Sequence, residues 1–181
     1  MKEISLNILD IAENSVKARA TLTEITVNET DDTLTLKISD NGCGMTAETL
    51  KAVTDPFYTT RTTRKVGMGL PLLKMEAEQT GGTFGISSKA ESEYPEDHGT
   101  EVTAVFNKKH IDYTPLGDVV SSIVTLIQGH PDTDFLFMHT YGNKSETLDT
   151  RELRAVLEEV PLNSYEVLKF IEETLRKEEN I

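Results

Sequence analysis

The stretch DNGCGM, residues 40–45, fits either a tight turn or the floor of a binding pocket. Asn and Gly accept the left-handed backbone conformations that short hairpin turns need. A pocket for adenine needs an acceptor for the exocyclic amine and room for a flat ring, and a carboxylate followed by small residues supplies both. Because Leu34, Leu36 and Ile38 alternate with polar residues, Asp40 is predicted to end a strand. This stretch alone leaves both interpretations open.

The composition predicts a globular protein with an acidic surface. The chain has 181 residues, of which 37% are hydrophobic and 27% are charged, and its net charge is −13. No apolar run approaches the ~20 residues that cross a bilayer, and the N-terminus lacks the pattern of a signal peptide. We therefore expect a cytoplasmic protein without a membrane partner, and its single cysteine, Cys43, fits a reducing compartment. The acidic charge argues against nucleic acid as a partner, because nonspecific binding depends on Lys and Arg.

The first 107 residues predict alternating helices and strands. The order is helix, two strands, helix, loop, helix and two strands, which predicts an α+β fold with helices layered on one face of a mixed sheet. The predicted elements are a helix over 3–18, a hairpin over 25–38, a helix from Thr46 to Val53, a helix from Leu70 to Gln79, and strands over 83–88 and 101–106.

A second pattern begins after residues 107–117. It predicts a helix over 119–127, a strand in DFLFMHT, and helices over 149–159 and 163–177. We therefore expect two units, residues 1–107 and a small α/β unit of residues 118–181. The second unit carries no chemical motif and is expected to pack on the first or to dock another protein.

Four polar residues of the first predicted helix share one stripe. Asn7, Asp10, Asn14 and Lys17 follow one another at steps of three, four and three. Such a stripe is usually a solvated face. The spacing nevertheless also suits chemistry, because an Asn oxygen is a suitable ligand for Mg²⁺ and a carboxylate one turn away could accept a proton.

The segment VGMGL, residues 66–70, places two glycines before a predicted helix. Amides at a helix N-terminus can bind phosphate, although a plain hinge would have the same sequence. Arg61, Arg64 and Lys65 form a basic cluster just upstream in an otherwise acidic chain. A phosphate chain would explain this cluster, and so would ion pairs with the acidic loop near residue 95.

Five short motifs in a fixed order resemble those of the GHKL superfamily, the ATP-binding fold of gyrase B subunits, ninety-kilodalton heat-shock chaperones, mismatch-repair ATPases and histidine kinases. They are ILDIAENSVKA (8–18), DNGCGM (40–45), DPFYTTR (55–61), VGMGL (66–70) and HGTEVTAVF (98–106). The resemblance covers roughly residues 4–106 and implies a two-layer Bergerat-type fold. It also favours the pocket interpretation of residues 40–45.

The resemblance also implies roles for particular residues. Asp40 would receive the adenine amine with help from Thr100, Asn14 would hold Mg²⁺, and Lys17 would meet phosphate. The remaining predicted nucleotide-site residues belong to the pocket floor and to the lid with its phosphate-facing end: Gly42, Gly44, Met45, Phe57, Tyr58, Thr59, Thr60, Arg61, Gly67, Met68, Gly69 and Leu70.

Three functions are compatible with these motifs. The first is a histidine kinase-like or anti-sigma-like kinase that phosphorylates a separate protein, since none of His98, His110, His130 and His139 is followed by an acidic residue. The second is an ATPase switch, with Asp10 as general base where hydrolysing members carry a glutamate. The third is a module that senses ATP without catalysis.

Overall fold

A mixed sheet of six strands forms the centre of the computed structural model, which describes residues 3–55 and 68–179. The strands are β1 (Leu22–Glu29), β2 (Thr33–Asp40), β3 (Thr83–Lys89), β4 (Gly99–Asn107), β5 (Asp134–Tyr141) and β6 (Lys144–Asp149). Their order in the sheet is β3-β4-β2-β1-β5-β6. Strands β1 and β5 are parallel, and all the other neighbours are antiparallel.

Six helices accompany this sheet in the described part of the chain. They are α1 (Ile4–Lys17), α2 (Ala47–Thr54), α3 (Gly69–Gln79), α4 (Val119–Gly129), α5 (Thr150–Leu157) and α6 (Tyr165–Glu179). Helix α1 contacts α3, α4 and the first two strands, while α6 packs on α4 and β6. The predicted α+β fold is confirmed.

The core lies where the strands alternate most regularly. Ile25, Val27, Leu36 and Ile38 are buried, and the residues between them point away from the core and remain partly or fully exposed. The hairpin register pairs Asp40 with Thr23 at one end of the sheet. The predicted hairpin is thus present, and it fixes where Asp40 lies.

Helix α1 has the broad apolar face that its sequence predicts, but its polar stripe is not simply solvated. Asn7 is fully buried and donates from Nδ2 to Glu76 of α3 over 2.5 Å. Asp10 and Asn14 are half-buried, and only Lys17 is exposed. The stripe therefore runs from the interior, against α3, to the surface.

The C-terminal segment extends the same sheet rather than forming another one. Strand β5 pairs with β1 in parallel along its whole length, and β6 follows as the edge strand. Strand β6 was not predicted from the sequence. The division into units 1–107 and 118–181 stays a prediction, and the structure adds that both segments contribute strands to one sheet.

No membrane-spanning helix is found in residues 3–55 and 68–179, because none of the helices there has both the length and the apolar content that a bilayer requires. The predicted cytoplasmic location stays a prediction.

Candidate functional site

The Asp40 carboxylate lies at the end of β2 in a fixed orientation. One carboxylate oxygen accepts a hydrogen bond from the Ser15 hydroxyl over 2.7 Å, and the other accepts from the backbone N–H of Gly42 over 2.8 Å. Ser15 is buried on α1, so this bond ties the strand end to the helix. Hydrogen bonds to a carboxylate are among the stronger ones in proteins, and the position of Asp40 is therefore well defined.

A cavity of about 350 Å³ opens beside this carboxylate. Its size lies within the usual range for small-molecule pockets. Apolar side chains of α1, β2 and β4, including Ile11, Ile38 and Val102, form much of its wall. Seven of the residues that the sequence assigned to a nucleotide site line it: Asn14, Lys17, Asp40, Gly44, Met45, Leu70 and Thr100.

The glycines of the loop after β2 allow close packing against neighbouring backbone. A Cβ on Gly42 would come within 2.8 Å of both Cβ and O of Ala18, at the end of α1. A Cβ on Gly44, whose φ is +64°, would lie 2.6 Å from the carbonyl carbon of Lys89. The suggestion from the sequence that these glycines leave room for a ligand stays a prediction, and the structure adds that they let the loop pack between α1 and the end of β3.

Thr100 lies opposite Asp40 in the register of β2 and β4, and its hydroxyl belongs to a small network. The Ser88 hydroxyl accepts from Met45 N–H over 2.8 Å, donates to Gly99 O over 3.0 Å, and lies 2.8 Å from the Thr100 hydroxyl. Since Ser88 uses its proton on Gly99, Thr100 donates to Ser88. The Thr100 oxygen thus keeps acceptor capacity on the cavity wall.

Asn14 and Lys17 form the side of the cavity towards the end of α1. The Asn14 Nδ2 atom is buried and has no hydrogen-bond partner within the described residues. A buried polar atom without a partner is uncommon, and such atoms often mark functional positions. The unpartnered Asn14 Nδ2 can donate to a phosphate oxygen, as can the ammonium group of Lys17 on the next turn, and Asn14 Oδ1 is the atom that can ligate Mg²⁺.

The N-terminus of α3 lies next to Asp10. A Cβ on Gly69 would come within 2.5 Å of the Asp10 Oδ2 atom, so the carboxylate lies against the first residue of this helix. Leu70 is buried and lines the cavity, whereas Met68 is exposed and Asp10 does not line it. Asp10 therefore contacts the first turn of α3 beside the cavity residue Leu70, although it is not itself part of the cavity wall.

Several predicted residues lie outside the described part of the chain. These are Phe57, Tyr58, Thr59, Thr60, Arg61, Arg64, Lys65 and Gly67.

The sequence reasoning missed several residues around the cavity. Ser15 and Ser88 fix Asp40 and the loop after β2, and Cys43 lines the cavity. His98 contacts the carbonyl oxygen of Gly42 through Nδ1 at 2.5 Å. Ser15, Cys43 and His98 lie inside the motifs quoted above, but nothing in the sequence indicated these contacts.

Residues 2–110 match a protein family described as histidine kinase-, DNA gyrase B-, and HSP90-like ATPase. This match covers more than half of the chain and includes every residue of the cavity wall. The chain belongs to this family. The GHKL resemblance read from the five motifs is confirmed.

Individual relatives agree with this family. The chain is 36% identical over 88 residues to the signal transduction histidine-protein kinase AtoS of Escherichia coli, covering 49% of this chain and 14% of that protein. It is 30% identical over 88 residues to the sensor histidine kinase ZraS of Klebsiella oxytoca, covering 49% of this chain and 19% of that protein. The chain thus spans less than a fifth of the length of these curated relatives.

A solved structure shows the same fold. The MutL ATPase domain of Aquifex aeolicus, complexed with ADP, superposes with a TM-score of 0.55 at 15% identity, covering 87% of this chain and 70% of that chain. The coverage extends beyond the family match, so much of the C-terminal segment also has a counterpart in that fold.

Proposed function

We propose that the chain binds Mg-ATP in the cavity beside Asp40 and transfers the γ-phosphate to a separate protein. The observation that carries this proposal is the Asp40 carboxylate, which is held by Ser15 and Gly42 beside a largely apolar cavity. Each oxygen of the Asp40 carboxylate has more than one lone pair, so either oxygen can accept a further hydrogen bond from an adenine amine. The apolar wall suits the faces of a purine ring.

Asn14 and Lys17 are the residues that we propose for the metal and the phosphates. Both line the cavity, and the Asn14 Nδ2 donor, which has no partner among the described residues, would suit a phosphate oxygen, while Asn14 Oδ1 would hold Mg²⁺. Mg²⁺ would neutralise phosphate charge in such a site. Lys17 places a positive charge at the cavity in a chain of net charge −13, so it would attract phosphate locally although the protein as a whole repels anions.

The surroundings of the four histidines support an acceptor on another protein. His98 contacts Gly42 O, His130 Nε2 lies 2.8 Å from Glu13, and His139 lies between two glutamates. His110 Nδ1 accepts from the N–H of Asp112 over 3.1 Å. His139 has hydrogen-bond partners at both ring nitrogens and the other three histidines at one, and the relatives AtoS and ZraS are named as histidine kinases.

Binding is tested first, by calorimetric titration of the chain with ATP and Mg²⁺. The Asp40→Asn variant replaces the charged acceptor with an amide, and its affinity should fall roughly 10- to 150-fold, as expected for the loss of one charge-assisted hydrogen bond. Asp132→Asn makes the same chemical change on an exposed residue between α4 and β5, and it should bind like the unchanged chain. Equal affinity for all three proteins would refute the cavity as the site.

Phosphotransfer is tested with ATP labelled at the γ-phosphate, with and without a lysate of the source cells. Label on another protein, lost in the Asp40→Asn variant, would support the kinase. Release of free phosphate without labelled protein would favour an ATPase switch, for which Asp10→Asn should abolish release while ATP still binds. Heat protection by ATP with neither product would indicate a sensing module.

A further inference from the structure

A second cavity, lined mostly by polar and charged residues, lies at the opposite end of the sheet from Asp40. Strand β1 runs from Thr23, which pairs with Asp40, to Glu29, which lines this second cavity, a distance of ~20 Å along the strand. The cavity has a volume of about 440 Å³ and lies beside β5, β6 and the C-terminal end of α6. Nothing in the proposed nucleotide chemistry uses it.

Three metal-binding side chains meet at this cavity. His139 of β5, Glu146 of β6 and Glu179 of α6 each offer one ligand atom, and these atoms all lie within 4.8 Å of one another. His139 and Glu146 are direct cross-strand partners, so the sheet register fixes the first two. The third comes from the helix that packs on β6.

Glu146 gives an independent sign of a ligand. Only 6% of this residue is exposed, yet it lies on the cavity wall. Its Oε1 lies 3.2 Å from His139 Nδ1, whereas its Oε2 has no hydrogen-bond partner in the part of the chain that the structure describes. A buried carboxylate oxygen without a partner is costly, and a bound cation would remove that cost.

The other ring nitrogen of His139 is already oriented. His139 Nε2 lies 2.8 Å from Glu29 Oε1, and the Lys108 ammonium holds the other oxygen of Glu29 at 2.9 Å. Both ring nitrogens of His139 thus face a carboxylate, and a metal ion would take the place of a proton on Nδ1 while Nε2 would keep its N–H towards Glu29. Metal-bound histidines in proteins commonly donate their second N–H to a carboxylate in this way.

We propose that His139 Nδ1, Glu146 and Glu179 bind a divalent first-row transition-metal ion. Imidazole and carboxylate ligands together suit Zn²⁺ and its neighbours, and three protein ligands leave a coordination position open to the cavity. The ion joins the end of α6 to the β5–β6 hairpin, so its binding stabilises the C-terminal part of the fold.

The test is calorimetric titration of the full chain with Zn²⁺ after treatment with a chelator, with no nucleotide present. Co²⁺ serves as a second probe, because its visible absorption reports the ligands. The unchanged chain should bind one ion with a dissociation constant in the micromolar range or below, and thermal unfolding should shift upwards with the metal.

Two neighbouring glutamates supply a matched pair of variants. Glu179→Gln removes a proposed ligand, and Glu178→Gln makes the same change on the preceding residue, which is also exposed and lines the same cavity but is outside the three-ligand group. Glu179→Gln should weaken binding at least ~10-fold, and Glu178→Gln should leave it within about twofold. Because Glu179 is exposed, its replacement leaves the fold intact.

Loss of Zn²⁺ binding in His139→Gln and Glu146→Gln would support the same ligand set, provided that both variants still unfold cooperatively. The proposal is overturned if neither Zn²⁺ nor Co²⁺ binds more tightly than about 100 μM, or if Glu178→Gln and Glu179→Gln weaken binding equally. In either case the cluster is an ion-pair network between His139 and its glutamates. ATP binding at Asp40 is measured separately, so its result does not decide this one.

Discussion

Replacement of Gly44 by alanine adds only one methyl group, but it should clearly lower the stability of the loop after β2. Gly44 has a φ of +64°. A Cβ there would lie 2.6 Å from the carbonyl carbon of Lys89 and 3.2 Å from the backbone nitrogen of Ala90, at the end of β3. Backbone cannot rotate away as a side chain can. The loop would therefore have to move, and the bond from Glu91 N–H to Cys43 O, 2.8 Å long, would weaken or break.

The expected cost has two parts. A left-handed backbone costs alanine about 1–2 kcal/mol relative to glycine, and losing one or two loop hydrogen bonds adds roughly 1 kcal/mol each. The sum is about 2–4 kcal/mol of unfolding free energy. For a chain of this size that corresponds to a fall in Tm of about 4–16 °C.

The assay is thermal unfolding, with ATP titration as a second measurement, and Gly81→Ala is the control. Gly81 also has a positive φ, +77°, but a Cβ there meets no atom within 4 Å. Gly81→Ala should therefore show the backbone cost alone, and the difference between the two variants measures the clash at residue 44. If the two variants lose the same stability, the loop is not held against β3, and the packing explanation for Gly44 is wrong.

Two further predictions concern pH. Arg176, together with the hydroxyl and amide of Ser121, lowers the pKa of Asp118 to about 2, so this N-cap of α4 stabilises the fold above pH 4 and loses its effect as the pH falls through 2. Asp118→Ala should cost about 1 kcal/mol in urea unfolding at pH 6, and the difference should shrink near pH 2. Burial by itself lowers the pKa of His139, but its two glutamate partners outweigh this and raise it to about 9. With a chelator present, the stabilisation from protonated His139 should be complete below about pH 6.5 and lost as the pH rises through 9. His139→Gln should flatten this part of the profile of Tm against pH. An unchanged profile in the variant would contradict the stabilising role of protonated His139.

Regular patterns made most of the fold predictable. The β1–β2 hairpin alternates apolar and polar residues along both strands, and Thr46 caps α2 by accepting from Thr49 N–H over 3.3 Å. Such signals are local, so a single sequence carries them. The same holds for Pro71 in the first turn of α3, where its missing N–H costs nothing.

Strand β6 could not be predicted because a charged residue occupies a core-facing position. In KSETLD, Leu148 is buried as expected for a strand, but the buried residue two positions earlier is Glu146. It is tolerated there because His139 of the neighbouring strand faces it. That compensation depends on tertiary structure, so periodicity gives no signal for it.

The candidate site was predictable only in its motif residues. Asp40, Asn14 and Thr100 were identified from their motifs, and the structure brings them to one cavity. Ser15 and Ser88, which hold this cavity together, lie 73 positions apart in the sequence and act through contacts that only the folded chain creates. A serine within a helix or a strand has no pattern that distinguishes a supporting hydroxyl from a solvated one.

The C-terminal segment supports the cavity beside Asp40 through α1. Ser122 of α4 donates to Ser5 O over 2.9 Å, and the N–H of Ile4 donates to Pro115 O over 2.9 Å, so residues after 110 hold the first turn of α1. The last turns of this helix carry Asn14 and Ser15. The segment outside the family match therefore helps to position the helix that lines the cavity beside Asp40.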